Sequence, residues 1–308
     1  MAWKDRLKAH FALTRPVQLV WLDIILPTSM FIILSRGFIN LGLLFSYISM
    51  SILGDAGGCT LNDIGDLESD RRSSEKDRNQ RPLVTGATTI RAAYFQGFIL
   101  LGLCILMSFY RFPLLPVIVG VALFFALAYS FHPFKFKARP IISQLFWVIV
   151  TFLEFCAMVV WMDLPFEQAL IGIPYIIAVL IFAAFGETLS KDLRDWDNDA
   201  EAGFRTTVVV FGPRASVRAS VILGVGGALV WLITLAWIHQ VSLIFLGIFG
   251  LLIIAMIWKF RPIYTTLNQG YSKPEARALH RFYLVFLVLF TCFYLVTVPF
   301  FILSYYSP

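Results

Sequence analysis

The chain has 308 residues, of which 59% are hydrophobic and 14% charged, and its mean hydropathy is +0.78. This composition excludes an ordinary soluble protein and is typical of a polytopic membrane protein. The net charge of +6 is explained by membrane orientation, as described below, and therefore indicates no nucleic-acid partner.

Nine apolar segments along the chain predict nine transmembrane helices. They lie near residues 17–36, 39–61, 91–110, 114–131, 141–162, 168–187, 216–238, 241–258 and 282–303. The basic segment before them leads directly into the first span and does not resemble a cleavable signal peptide. The sequence therefore predicts an all-α membrane protein, with a nine-helix bundle forming a single domain over residues 1–308.

The lysines and arginines are distributed unevenly between the predicted loops. If the N-terminus is cytoplasmic, 23 of the 25 basic residues fall on the inner side, and only Arg36 and Arg111 fall outside. Basic residues favour cytoplasmic loops, so this bias supports the nine-span count. We expect the N-terminus and the long, polar loops on the cytoplasmic side, in the inner membrane if the source is a prokaryote.

Three acidic residues stand out in the interior of predicted spans, namely Asp23, Asp55 and Glu154. Charges in such positions are costly and are commonly functional. Asp55 precedes Asn62 by two helical turns, which places it about 10 Å deeper in the membrane. Alternatively, Asp55 only pairs with another side chain of the bundle.

An acidic motif directly follows the second span and occupies residues 62–70. Its members are Asn62, Asp63, Asp66 and Asp70. The spacing i, i+3, i+7 predicts that the three carboxylates project from one face of a helix that continues the span. Arg78 and Arg81 follow the motif.

A second motif at residues 191–199 repeats the same spacing after the sixth span. Its carboxylates are Asp192, Asp195 and Asp199, each 129 residues after its counterpart in the first motif. Lys191 and Arg194 lie within one turn of this triad, whereas Asp197 faces away from it on an ideal helix.

Six carboxylates at the membrane edge would repel one another without cations between them. They also follow helix C-termini, which carry partial negative charge. Mg2+ takes oxygen ligands and bridges one or two carboxylates to substrate phosphates. The two motifs therefore predict a Mg2+–diphosphate site, and the alternative is a pair of solvated acidic helix extensions.

The two motifs resemble the signatures of the UbiA superfamily of intramembrane prenyltransferases. The first reads N-D-x-x-D-x-x-x-D from Asn62 and is followed by R-P-L-x-x-G from Arg81, and the second reads K-D-x-x-D-x-x-x-D from Lys191. The nine spans, the motif positions and Arg15-Pro16 also match, so the resemblance covers essentially the whole chain. The gap between Asp70 and Arg81 is longer than in the family pattern.

The resemblance implies a UbiA-type bundle, with a central cavity open to the cytoplasmic side, that ionises a prenyl diphosphate and transfers the prenyl group to an acceptor. The catalytic residues implied are the six aspartates, which with Asn62 would hold Mg2+: Asn62, Asp63, Asp66, Asp70, Asp192, Asp195 and Asp199. The residues expected to bind the diphosphate are Arg78, Arg81, Tyr129, Lys135, Lys191 and Arg194.

Asp55 is expected to lie at the acceptor. Relatives that prenylate 4-hydroxybenzoate commonly have an arginine at this offset, which suits the acceptor carboxylate. Because an acid would repel a benzoate, we expect a different lipophilic acceptor, of the quinone-precursor, tetrapyrrole or glycerol-phosphate type.

Two alternatives remain open. A terpene cyclase on the same fold would keep both metal motifs and quench the cation internally. A transporter would use the acids as an ion pathway, but transporters place such residues near the bilayer midplane, whereas both motifs lie at the predicted ends of spans.

Overall fold

The computed structural model describes residues 3–37, 39–72, 81–237 and 241–306, and its regular secondary structure in these ranges is entirely helical. The α-helices are α1 (Trp3–Leu13), α2 (Pro16–Leu19), α3 (Leu26–Leu34), α4 (Leu41–Gly65), α5 (Leu67–Arg72), α6 (Ile90–Arg111), α7 (Leu115–Ser130), α8 (Ile142–Trp161), α9 (Phe166–Ala169), α10 (Ile173–Val179), α11 (Thr188–Glu201), α12 (Thr207–Phe211), α13 (Pro213–Trp237), α14 (Leu243–Gln269) and α15 (Lys273–Tyr306). Two π-helical segments, Val20–Ile25 and Leu180–Glu187, join α2 to α3 and α10 to α11.

Within the described ranges, seven helical segments are long and apolar enough to cross a membrane. They are Leu41–Gly65, Ile90–Arg111, Ile142–Trp161, Phe166–Glu201, Pro213–Ala236, Leu243–Gln269 and Lys273–Thr297. Two shorter apolar helices, Leu22–Leu34 and Leu115–Ser130, lie at the predicted first and fourth spans. The helical, membrane-spanning character of the fold is confirmed, and the count of nine spans stays a prediction.

Side-chain caps explain where two long helices begin. The Asn40 side chain accepts a hydrogen bond from Leu43 N at 3.0 Å at the start of α4. Thr89 accepts one from Ala92 N at 3.2 Å at the start of α6. Each cap satisfies a backbone donor that has no partner within the helix.

Helices α4 and α6 pack closely through two glycines. A Cβ atom on Gly57 would lie 2.6 Å from Leu101 Cδ2, and one on Gly97 would lie 2.6 Å from Leu61 Cδ2. Small residues let helix backbones approach each other in membranes. This contact fixes the helix that leads into the first acidic motif.

The second π-helical segment packs against α13 in a similar way. A Cβ atom on Gly227 would lie 2.7 Å from Phe182 N. Phe182 is fully buried, and its ring lies 5.6 Å from that of Trp231 and 5.3 Å from that of Tyr283. This core holds the segment that leads directly into α11 and the second motif.

The N-terminal helix α1 lies against α6. His10 Nδ1 lies 2.6 Å from Gln96 Oε1, and Gln96 Nε2 donates to the His10 backbone oxygen at 3.0 Å. The chain then turns at Arg15, which has a φ of +50°. The turn carries Arg15 to the end of α4, beside the first motif.

Candidate functional site

The first motif lies on two helices rather than on one. Helix α4 ends at Gly65, Asp66 follows it with a φ of −96° and a ψ of −6°, and α5 begins at Leu67. A Cβ atom on Gly65 would lie 3.0 Å from the Ser130 side chain and 3.2 Å from its backbone oxygen. The predicted helix is therefore interrupted at a single residue, Asp66, while the helical hydrogen bonds from Asp66 N to Asn62 O at 2.9 Å and from Asp70 N to Asp66 O at 2.8 Å continue through the motif.

Two arginines bind the first carboxylates. Arg15 Nη2 forms an ion pair with Asp63 Oδ1, and Arg81 Nη1 lies 3.3 Å from the same oxygen. Arg81 Nε also lies 3.5 Å from Asp70 Oδ2. Asp63 is buried, with 5% of its side chain exposed, so paired cations are needed to offset the loss of hydration.

Lys137, in the loop after α7, forms an ion pair with Asp66. Burial, followed by the nearby positive charge of Lys191, lowers the pKa of Lys137 to about 7, against the opposing influence of Asp199 and Asp63. Lys137 is therefore surrounded by charged groups of both motifs.

Lys135, the lysine predicted to bind diphosphate, has a different environment. Its Nζ lies 4.5 Å from the centre of the Phe204 ring, and its own φ is +43°. The left-handed backbone at Lys135 begins the short 3-10 helix Phe136–Ala138, which carries Lys137 to Asp66. In this loop the structure brings Lys137, and not Lys135, to the carboxylates.

The charges of the two motifs act on each other. Burial raises the pKa of Asp70, Arg81 lowers it, and the negative charges of Asp63 and Asp195 raise it further. Asp195 belongs to the second motif, so the two acidic segments face one another across the same end of the helix bundle.

The second motif lies on the unbroken helix α11, as predicted. Arg194 binds Asp195 through two hydrogen bonds, of 2.8 Å from Nε and 2.6 Å from Nη2. Asp192 is buried and accepts a hydrogen bond from Gln144 Nε2 at 2.9 Å. Thr207 in turn donates to Gln144 Oε1 at 2.8 Å, which fixes the orientation of the amide.

The C-terminal end of α7 contacts both motifs. Ser130 donates a hydrogen bond to the Asn62 side chain of the first motif. Tyr129 and Lys191 of the second motif are close enough to influence each other electrostatically. Trp147 lies beside both, with its ring centre 6.0 Å from that of Tyr129 and 6.0 Å from Lys191 Nζ.

Asp197, predicted to face away from its triad, lies 3.5 Å from Lys273 Nζ at the start of α15. Arg78 lies outside the described residues. Asp55 lies deeper in the bundle and interacts with Asp23 rather than with the two motifs.

The donor set has the chemistry that Mg2+ requires. Among the described residues, no three aspartate, glutamate, histidine or cysteine side chains converge closely enough to hold a metal ion by themselves. Mg2+ keeps only one or two protein carboxylates and takes its remaining oxygens from phosphates and water. The two acidic motifs face each other, and arginine and lysine side chains lie among their carboxylates. This arrangement fits that mode of Mg2+ binding.

The fold and site define a class of protein: an integral, multi-pass helical membrane protein with two facing acidic motifs at one end of its bundle. The UbiA prenyltransferase family model matches residues 24–270. The chain therefore belongs to the UbiA prenyltransferase family and is a transferase.

Solved structures share this fold. A UbiA homolog from Archaeoglobus fulgidus bound to DMAPP and Mg2+ is 21% identical, with a TM-score of 0.64, over 96% of this chain and 99% of that one. A structure of digeranylgeranylglyceryl phosphate synthase is 19% identical, with a TM-score of 0.68, over 95% and 98% of the two chains. The apo structure of a UbiA homolog from Aeropyrum pernix K1 is 15% identical, with a TM-score of 0.65, over 86% and 94%. No curated protein matches the sequence.

Three residues that bind aspartates of the motifs were not predicted as site residues: Arg15, Lys137 and Gln144. Each reaches its aspartate from a distant part of the sequence; Arg15 is 48 residues from Asp63, and Gln144 is 48 residues from Asp192. Arg15-Pro16 was noted only as part of the family resemblance, and nothing local distinguished Lys137 or Gln144.

Proposed function

We propose that this protein transfers a prenyl group from an isoprenoid diphosphate to a lipophilic acceptor in a Mg2+-dependent reaction. The observation that carries the proposal is the arrangement of two facing acidic motifs in which four carboxylates, Asp63, Asp66, Asp70 and Asp195, are already paired with arginine or lysine. A diphosphate with bound metal ions needs both kinds of group, since the carboxylates hold the metal and the bases contact phosphate oxygens.

The metal ligands proposed are the residues of the two motifs. They are Asn62, Asp63, Asp66, Asp70, Asp192, Asp195 and Asp199. When bound, Mg2+ would neutralise the charge that develops on the leaving diphosphate. The aspartates contribute oxygens at fixed positions, because Asp63 and Asp192 are each buried against a specific partner.

The basic residues are proposed to hold the diphosphate. Arg15 and Lys137 join the predicted set of Arg78, Arg81, Tyr129, Lys135, Lys191 and Arg194. Cleavage of the allylic carbon–oxygen bond leaves its electron pair on the diphosphate. Cations held in fixed positions around the diphosphate would stabilise the charge that develops on it. They would lower the barrier to bond cleavage, because the protein need not rearrange during the reaction.

The acceptor is proposed to enter from the membrane side and to contact Asp55. An acid at this depth disfavours 4-hydroxybenzoate, whose carboxylate it would repel. A quinone precursor, a tetrapyrrole or a glycerol-phosphate lipid remains suitable, and the similar solved structure of digeranylgeranylglyceryl phosphate synthase supports including the last.

In the proposed topology, nine spans form a single domain with a central cavity open to the cytoplasmic side. The seven long apolar segments and the two shorter ones supply the nine. The excess of basic residues on one side supports a cytoplasmic N-terminus and cytoplasmic motifs.

The test is product formation by purified protein in detergent, with radiolabelled geranylgeranyl diphosphate, Mg2+ and a panel of acceptors. We expect a prenylated acceptor that disappears with EDTA, returns with Mg2+, and is absent in the Asp66→Ala/Asp195→Ala double variant. Asp5→Asn, an exposed acid on α1, is the matched control. A hydrocarbon released without any acceptor would instead identify a cyclase, and folded protein without turnover would favour a transporter.

A further inference from the structure

Helix α1 carries large apolar side chains that the described part of the chain leaves uncovered. Trp3, Leu7 and Phe11 follow one another at intervals of four residues and are 68%, 51% and 65% exposed. Side chains at this spacing lie along one face of a helix. Ala9 and Leu13, in contrast, are buried against the bundle. The helix therefore has two apolar faces and packs with only one of them, and we call Trp3, Leu7 and Phe11 the apolar stripe.

The packed face of α1 fixes the position of the helix on the bundle. Leu13 is fully buried in a cluster with Leu67 and Ala93. The contact of His10 with Gln96 of α6 is supplemented on the other side of the imidazole, where Thr88 Oγ1 lies 3.3 Å from His10 Nε2. These contacts hold α1 beside the first two turns of α6.

The first turns of α6 lie near the edge of the membrane. The helix has 22 residues, which gives it a length of about 33 Å, close to the roughly 30 Å of a bilayer's hydrocarbon core. Its Phe95 and Phe98 are 71% and 59% exposed, as expected for side chains that face lipid. The Tyr94 ring stacks on that of Phe98, with the centres 6.0 Å apart, and aromatic side chains are enriched at this depth. Helix α1 therefore lies at the level of the lipid headgroups.

Lysines border the apolar stripe. Lys4 and Lys8 are exposed, and each directly follows a residue of the stripe. At about 100° per residue, the two lysines lie between the stripe and the flank that carries Asp5 and Ala12. Neither lysine forms an ion pair with another described residue. An apolar face bordered by lysines, with an acid on the far flank, suits a helix that lies in the membrane interface.

We infer that α1 is a membrane-surface helix that binds anionic phospholipids. The apolar stripe enters the bilayer, and Lys4 and Lys8 contact the lipid phosphates. Because Arg15 follows the helix and pairs with Asp63, the membrane surface also holds this arginine at the first motif. The inference goes beyond the proposed prenyl transfer and does not depend on it.

The first test locates the apolar stripe by photo-cross-linking in nanodiscs of phosphatidylcholine and phosphatidylglycerol. The photoreactive residue p-benzoylphenylalanine replaces Phe11 or, as the matched control, the adjacent exposed Ala12. We expect at least about fivefold more phospholipid adduct at position 11 than at position 12, measured by mass spectrometry of the intact protein. Equal adducts at the two positions would overturn the inference, and so would a cross-link from position 11 to another protein chain.

The second test measures how strongly lipid charge holds α1. Amide hydrogen exchange of residues 3–15 is followed by mass spectrometry in nanodiscs of phosphatidylcholine, with or without about one third phosphatidylglycerol. Exchange should be roughly 25-fold slower with the anionic lipid, because each of the two lysines contributes about fivefold to binding at an anionic surface. The Lys4→Gln/Lys8→Gln variant should lose this difference.

A charge-matched control separates lipid binding by α1 from an effect of net charge. Lys259→Gln/Arg261→Gln removes two cations from exposed positions on α14 and should keep the full difference between the two lipid mixtures. The amides of α6 should exchange equally in both variants, which distinguishes release of α1 from loss of the fold. Exchange of residues 3–15 that does not depend on phosphatidylglycerol in wild type would overturn the inference, as would an equal loss in both double variants.

Discussion

The two acidic motifs share their spacing but are built differently. In the first, Asp63 and Asp66 are paired with Arg15 and Lys137, which come from other parts of the chain, and the helix is interrupted at Asp66. In the second, Asp195 is paired with the adjacent Arg194 on an unbroken helix. The cations of the first motif therefore come from other parts of the chain, whereas the cation paired with Asp195 lies on the same helix; Asp192 of the second motif is held by the neutral side chain of Gln144 from α8.

Because of this difference, mutations of the cations in the two motifs should affect stability and activity to different extents. Cations that come from distant segments hold those segments in place, so removing one should affect stability as well as activity. A cation on the same helix as its acid, partly exposed, should affect activity with little change in stability.

The largest expected effect is common to both motifs. Asp66→Ala and Asp195→Ala should each lower kcat roughly 1,000-fold or more, because each removes a proposed ligand of the Mg2+ that would stabilise the leaving diphosphate. The measurement is steady-state prenyl transfer with radiolabelled diphosphate, and Glu201→Gln at the exposed end of α11 is the control. Loss of activity in only one of the two variants would mean that the motifs do not act together.

The next prediction concerns stability. Arg15→Ala should lower the free energy of unfolding by about 2–4 kcal/mol, because Asp63 would keep a buried charge with a weaker partner. Arg194→Ala should lower it by less than about 1 kcal/mol, because about a third of each side chain in its pair with Asp195 is exposed. Thermal unfolding of each variant in detergent, monitored by size-exclusion chromatography, measures the loss of stability for both variants.

Equal destabilisation by the two arginine variants would contradict the distinction between a cation from a distant segment and a cation on the same helix as its acid. Arg15→Lys is a useful further control, since it keeps the charge and loses only the planar geometry of the guanidinium.

A third prediction concerns the support of the second motif. Gly227→Ala should destabilise the protein by about 1–3 kcal/mol, because a Cβ atom there would lie 2.7 Å from Phe182 N in the π-helical segment. Gly226→Ala, whose Cβ would meet nothing within 4 Å, is the adjacent control. Similar melting temperatures for the two variants would show that the π-helical segment does not depend on close packing against α13.

The smallest expected effect is that of Asp197→Asn. Asp197 faces Lys273 rather than the first motif, so its exchange should leave kcat/KM within about threefold of wild type. A loss as large as that of Asp195→Ala, measured in the same assay, would show that the division of α11 into two functional faces is wrong.

The features of the fold that could be predicted were those that depend on the pattern of neighbouring residues in the sequence. Apolar segments indicated the long helices, and the i, i+3, i+7 spacing correctly predicted that α11 carries its triad on one helix. The helix end at Gly65 was not predicted, because the acidic periodicity continues through it. The interruption falls beside Gly65, where α4 lies close to Ser130, which is 65 residues further along the chain.

The arginine and lysine residues that contact the carboxylates were less predictable, because several of them come from distant parts of the chain. Arg81 and Arg194 lie near their acids in sequence and were recognised, whereas Lys137 was passed over for Lys135. The choice between the two lysines depends on the left-handed backbone at Lys135 and on the position of Asp66 in the folded protein. Neither is visible in a sequence of alternating lysine and phenylalanine.

The docking of α1 has a practical consequence for handling this enzyme. His10 holds the helix to Gln96, and Arg15 inserts at Asp63, so the first fifteen residues complete the site although they precede every predicted span. Truncation before Pro16 would leave the apolar bundle whole while removing the cation that is paired with Asp63 in the first motif. Affinity tags are better joined ahead of Trp3, and protease sites should not be engineered between α1 and α2.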